Sequence, residues 1–420
     1  MVQRYKQDTY KSQSDSLNAL RMRKFISFAM FCLLCFFVLI ELELDASEFL
    51  PQNIPLPKIS FKKRSKRFSF SNKNLVKRYV HEIPTGFIPT WSGEYKVRLF
   101  HSSPDFTNWN FHDVTLVTQC SVNRLYNLKE LSFRWNGPIS IAVFIPGQEA
   151  GFAFDAIEGL KKCYPDTIAK QVSFHLAYPS NHEADISGRN SLEYKSCQDL
   201  LKIIENYGEA NYEHSIPYPH NVLRNAARNG VTTEFVFLID VDVLPSIDLR
   251  SNFIAYAHRN NLIGNKKEKR VYVVPVFEIK QGYPVPMTKR ALLDANADGL
   301  VRPFHNVTCW WCHKPERHED WLKLANPNPK QLGAGFIADW EKSWEPFYIA
   351  RRNVPLFDER FKQYGYDRIE QICELHLMNY DFVVLDKAFL IHRGWKEFTK
   401  DERKKETYIM LVNYLDTGCF

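Results

Sequence analysis

Two aspartates flanking a valine, Asp240 and Asp242 in FVFLIDVDVLPS (235–246), are the residues of this 420-residue chain whose type and spacing point most directly to chemistry. Carboxylates at i and i+2 where an apolar run ends suit a hard divalent cation, Mg²⁺ or Mn²⁺. Such a cation bridges the two phosphates of a nucleotide sugar and neutralises charge on the departing diphosphate. The pair alone is weak evidence, because with charged residues at 25% of the chain, chance supplies about one such pair in this length. A third ligand is needed, and FLIHRGWKEF near the C-terminus offers His392, with Arg393 and Lys396 close behind. An imidazole ligand favours Mn²⁺ over Mg²⁺.

These residues need elements to deliver them. The five apolar residues before Asp240 read as a strand buried on both faces. Upstream, VTLVT (114–118), ISIAVFI (139–145) and VSFHLAY (172–178) read as further strands, and FAFDAIEGLKKC (152–163) carries Phe154, Ile157 and Leu160 at helical spacing. Strand and helix in alternation predict an α/β sheet covered by helices, with ligands at the carboxyl ends of its strands. Asp240 and Asp242 fall at such an end. Just before them, Asn221, Arg224, Asn225 and Arg228 lie at i, i+3, i+4 and i+7 on a helix that Pro219 can begin. That stripe is either a solvated face or a surface that binds the phosphates or sugar of a ligand.

With these motifs placed, a resemblance becomes visible. FVFLIDVDVLPS, VVPVFEI (273–279), WEPFYIA (344–350), PLFDERFKQYGYDR (355–368) and FLIHRGWKE resemble, in the same order, the family of β1,4-glucuronyltransferases and LARGE-type second catalytic domains. The resemblance implies a GT-A type fold, a Rossmann-like mixed sheet covered by helices behind an N-terminal transmembrane helix. It implies a type II Golgi enzyme that takes Mn²⁺ and a UDP-sugar, glucuronate being the donor sugar, and inverts the anomeric carbon. Asp240 and Asp242 then carry over as metal ligands, with His392 as the third. Inversion requires a base for the acceptor hydroxyl, and Asp358, Asp367 and Glu278 are the candidates; Asp367 stands where the family tends to have Asn. Asn221, Arg224, Asn225 and Lys396 are the expected donor contacts, with Arg368 a further cation for a sugar carboxylate. The acceptor is expected to be a xylose-containing glycan or glycoprotein, and a homodimer or a partner transferase is the remaining protein contact. The alternatives are a β1,3-N-acetylglucosaminyltransferase with the same metal site, or a catalytically silent glycan-binding protein.

The N-terminus fits a luminal enzyme. Phe25–Ile40 is an unbroken apolar run, extended by Leu42 and Leu44, with Arg21, Arg23 and Lys24 before it and Glu41, Glu43 and Asp45 after it. Basic before and acidic after directs the tail to the cytoplasm and the body to the lumen. A cleaved signal peptide is the rival reading. The expected organisation is a tail over 1–24, an anchor over 25–44, a luminal stem over 45–105 and a catalytic domain over 106–420. The first 80 residues carry 15 Lys and Arg against 6 Asp and Glu, and the rest 40 against 42. The body therefore has no net attraction for nucleic acid. Seven cysteines lie beyond the apolar run, where an oxidising lumen favours disulfides. Among them CWWC (309–312) reads as a structural staple ahead of a redox pair or half a zinc site, and Asn306 begins a glycosylation sequon.

Overall fold

A computed structural model describes residues 86–396 apart from 107–108, 188–191, 209–215, 266, 308, 310, 315–316, 325–330 and 364. The expected tail and anchor, and most of the stem, lie outside the described residues. No helix among the described residues is long and apolar enough to cross a membrane. Leu75–Phe420 forms one compact unit.

Among the described residues, fourteen strands make two sheets. In chain order they are β1 (Ile88–Pro89), β2 (Tyr95–Ser102), β3 (Val114–Ser121), β4 (Ile139–Phe144), β5 (Val172–Pro179), β6 (Phe235–Leu238), β7 (Val243–Pro245), β8 (Arg270–Val273), β9 (Val276–Ile279), β10 (Val301–Pro303), β11 (Ala334–Ala338), β12 (Tyr348–Arg351), β13 (Asp381–Leu385) and β14 (Leu390–Arg393). The large sheet runs β1-β2-β5-β4-β3-β6-β12-β8-β13-β11, and the small one β10-β9-β14-β7. Its parallel centre, β5-β4-β3-β6, is flanked by antiparallel strands, so the fold is a mixed α/β sheet. Burial on both faces explains the central sequences: every residue of VTLVTQCS and ISIAVF is buried, as continuous apolar runs require.

The helices Glu149–Cys163 and His220–Asn229 turn apolar residues into this core, Ala153, Ile157 and Leu160 from the first and Leu223 and Ala227 from the second. A disulfide joins Cys163 to Cys197, tying the end of one helix to the start of the helix Cys197–Glu205.

The boundary expected at residue 105 falls inside the folded body. β2 pairs antiparallel with β5 from Tyr95↔Pro179 to Ser102↔Phe174, so 88–102 belong to the large sheet. The sequence signal is faint because only Tyr95 and Val97 of YKVRLFHS are buried, and Lys96 and Arg98 alternate with them.

The chain passes from the large sheet to the small one three times: from β6 to β7 through 239–242, from β8 to β9 through 274–275, and from β13 to β14 through 386–389. β13 lies parallel to β8 in the first sheet and β14 parallel to β9 in the second, so this pair crosses together. Leu390 donates its N–H to Pro275 O at 2.8 Å at the crossing.

Candidate active site

A cleft of about 720 Å³ opens where β3 and β6 end. This is the carboxyl edge of the parallel strands, where α/β sheets hold ligands. Asp240 and Asp242 line it from the first crossing. Strand register brings the third candidate ligand to them: His392 pairs with Val243 across β14 and β7, which sets its ring beside the preceding residue. His392 Nε2 stands 3.6 Å from Asp242 Oδ2, and its Nδ1 donates to Gly394 O at 3.0 Å. Burial raises the Asp242 carboxyl, but the bond and charge of His392, with Lys396 and Arg124, outweigh it and hold the group well below the usual carboxylate range.

Asp240 faces the other way. It accepts from Arg368 Nη2 at 2.9 Å and lies 3.8 Å from Arg224 Nη2. Arg224 also donates to Asp367 Oδ2 at 2.6 Å, and both side chains of that pair are about 8% exposed. Burial raises Asp367 and the charge of Arg224 overcomes it, so the carboxyl is held low. Arg124, Arg224, Arg368, Arg393 and Lys396 all line the cleft, giving it five cationic side chains for an anionic ligand.

Oxygen and imidazole donors are the set a Mn²⁺-like cation takes. Among the described residues, however, no group of three or more His, Cys, Asp and Glu side chains is gathered tightly enough to surround an ion. Asp242 and His392 fit as an open pair with Asp240 close by, held by Arg368.

Other expected residues have different surroundings. Asn221 and Asn225 are buried, at 0% and 3% exposure, and lie outside the cleft lining. Asn221 donates to Asp358 O at 2.8 Å. Asn225 donates to Phe357 O at 2.8 Å and accepts from Phe357 N at 3.0 Å, while Arg228 donates to Val354 O at 2.7 Å. This polar stripe therefore clamps the backbone of 354–358, and only Arg224 of the four reaches the cleft. Glu278 is fully buried, bonded to Arg302 and to Lys396 N, and outside the lining. Asp358 is also outside it, gripped by Arg360 Nε at 2.9 and 3.0 Å. Lys396 lines the cleft with its ammonium 5.8 Å from the Phe304 ring. Asn306 is exposed, on the loop that leads to the Cys309–Cys312 disulfide. Cys120 is a buried free thiol, which burial makes harder to ionise.

Several lining residues stand outside the set of site residues expected from the sequence. His305 and His313 enter on the loop closed by Cys309–Cys312, and burial keeps both imidazoles neutral, His313 down to about 4. Glu345 lies three residues before β12, and the register Tyr348↔Leu238 sets that approach opposite the end of β6, near Asp240. Its one sequence signal is position: it precedes a buried strand as Asp240 follows one.

Comparison with known proteins gives this geometry a family. Residues 113–411 match the family described as glycosyl-transferase for dystroglycan. The beta-1,4-glucuronyltransferase 1 of Danio rerio is 33% identical over 358 residues, covering 80% of this chain and 82% of that protein. The Homo sapiens protein of the same name is 35% identical over 333 residues, 77% of each chain. Homo sapiens xylosyl- and glucuronyltransferase LARGE1 is 27% identical over 282 residues, 67% of this chain and 31% of its own. With a match across 113–411 and relatives above 30% identity over most of both chains, this chain belongs to the glycosyl-transferase for dystroglycan family and is a glycosyltransferase.

Proposed function

We propose that the chain transfers glucuronate from UDP-glucuronate to a xylose-containing glycan, with inversion and with Mn²⁺ in the cleft, on a GT-A type fold. The observation that carries the reading is the convergence of Asp240, Asp242 and His392 on one cleft with five cationic side chains. The relatives, which are beta-1,4-glucuronyltransferases by name, support the donor sugar. Asp242 and His392 would hold the cation, with Asp240 beside them. When bound, it supplies positive charge to the diphosphate leaving group. Arg224 and Arg368 are fixed by Asp367 and Asp240, so they face an anionic donor already oriented, with little side-chain entropy left to lose. Arg124, Arg393 and Lys396 add charge along the cleft wall.

A panel of UDP-sugars incubated with the full-length protein, Mn²⁺ or EDTA, and a xylose-terminated acceptor tests this reading. UDP-glucuronate should give the fastest acceptor-dependent UDP release, abolished by EDTA. Faster release from UDP-N-acetylglucosamine, or release indifferent to EDTA, would overturn it.

The charge asymmetry around 25–44 supports a type II Golgi protein with a luminal body. In sealed microsomes the body should resist protease and Asn306 should carry a removable glycan; digestion in intact vesicles would refute that topology.

A further inference from the structure

We propose that Glu345 is the catalytic base that removes the proton from the acceptor hydroxyl. The assignment rests on the inverting glycosyl-transfer reading above. Inversion in one displacement needs a single base in the cleft, across from the leaving diphosphate. The three carboxylates that the sequence offers are poorly placed for that task. Glu278 and Asp358 lie outside the lining, each bound to an arginine. Asp367 lines the cleft but is held by Arg224 at 2.6 Å, which makes it a weak proton acceptor.

Glu345 differs on each count. It lines the cleft, and its side chain is 19% exposed, enough to meet a substrate. Its backbone is fixed on both sides: its N–H donates to Cys312 O at 2.5 Å, and its carbonyl accepts from His313 Nδ1 at 2.8 Å. With that Nδ1 carrying the proton, neutral His313 turns an unprotonated Nε2 toward Glu345 Oε2, 3.9 Å away. The carboxyl stands in a cluster with Asp367, Asp240, Arg368 and Arg224. Arg224 and Arg368 are taken up by Asp367 and Asp240, and among the described residues no arginine or lysine forms an ion pair with Glu345. Burial first, then the charge of Asp367, push Glu345 up to about 8, although Arg368 and Arg224 pull the other way. A carboxylate of that proton affinity is a stronger base than an ordinary one and titrates near working pH.

In the step, the acceptor oxygen forms a bond to the anomeric carbon. The bond from that carbon to the β-phosphate oxygen breaks, and its electron pair leaves with UDP. The hydroxyl proton passes to Glu345, which returns it to solvent after the product departs.

The test compares the full-length parent with Glu345→Gln and Glu345→Asp, using UDP-glucuronate, Mn²⁺ and a xylose-terminated acceptor across pH 5.5–9. Glu345→Gln should lower kcat by about 10²–10⁴-fold, the usual reach of general-base catalysis, with the donor KM within about threefold. Its stabilisation by UDP with Mn²⁺ should match the parent's. Parental kcat should climb with pH and level above about 8, and the residual rate of Glu345→Gln should be flat. Glu345→Asp, which keeps the carboxylate but draws it back by one methylene, should recover part of the rate. Parental kcat in Glu345→Gln, or loss of UDP binding in proportion to rate, would overturn the assignment. If Glu345→Gln does not fold, Glu345→Asp decides alone: parental rate and pH profile there overturn it. A parent that transfers no glucuronate overturns the reading beneath, and that arm needs no variant.

Discussion

Replacing Glu345 by Gln should remove one pH-dependent loss of stability from the cleft, apart from anything it does to catalysis. In the folded protein the Glu345 carboxyl is pushed up to about 8 from an ordinary value of 4.5. Between those values the unfolded chain has released this proton and the folded chain still holds it. Stability that is fully present below 4.5 is therefore lost as pH rises, at up to about 1.4 kcal/mol per pH unit. From pH 5 to pH 8 the parent should lose at most about 3–4 kcal/mol that Glu345→Gln keeps, a ceiling because the side chain retains some solvent contact. Titrating groups remote from Glu345 are common to both proteins and cancel in the difference, whereas Asp367 loses the repulsion of an ionised Glu345 in the variant, which adds to the gap at alkaline pH. Urea unfolding of a chain beginning at Leu75, the start of the compact unit, would be measured at pH 5, 6, 7 and 8 without metal or nucleotide. The gap between variant and parent should widen toward alkaline pH. A constant gap would refute the buried, proton-holding Glu345, and with it the electrostatic support for its role as base.

Asp242→Asn should fold as the parent does but lose sugar transfer and the rise in melting temperature given by Mn²⁺ with UDP, since that rise reports binding to the folded state alone; an unchanged rise would remove Asp242 from the cation site. Asn225→Ala leaves Phe357 N and O without their partner in a buried place and should cost about 1–3 kcal/mol by urea unfolding. A change below about 0.5 kcal/mol would show that the clamp on 354–358 contributes little. A chain starting at residue 106 lacks β1 and β2 and leaves β5 as an open edge. It should aggregate on gel filtration where a chain starting at Leu75 does not.

The sequence made the centre of the fold legible because strands buried on both faces show as runs dominated by apolar residues. Val114, Ile139, Val172 and Phe235 begin strands where those runs begin. It hid β2, where a charged residue alternates with each buried one. It also hid strand order, since nothing in VVPVFEI says that the chain changes sheets at Val274 and Pro275. The gathering of Asp240, Asp242 and His392 in one cleft follows the expectation from strand ends. The polar stripe on His220–Asn229 shows the limit of spacing: i, i+3, i+4 and i+7 fix a shared face but not what that face meets. Here it meets backbone at 354–358, apart from Arg224. Glu345 was illegible for a different reason. Its environment comes from residues 105 positions before it and 22 after it, Asp240 and Asp367, and the pairing of β12 with β6 sets its approach opposite the first of these.

The three passages between the sheets make the floor of the cleft mechanically continuous. Asp240 and Asp242 ride on one passage, and His392 lies just beyond another, so each is braced at both ends by a paired strand. Prising the small sheet from the large one would strain three covalent links at once and break the pairing carried across by β8, β9, β13 and β14. The walls of the cleft, which include His305 and His313, are not built into these passages, whereas the carboxylates and His392 are. Substitutions in those walls can retune what the cleft accepts without disturbing the anchorage beneath, whereas a residue inserted between Ile239 and Val243 would shift both aspartates against His392.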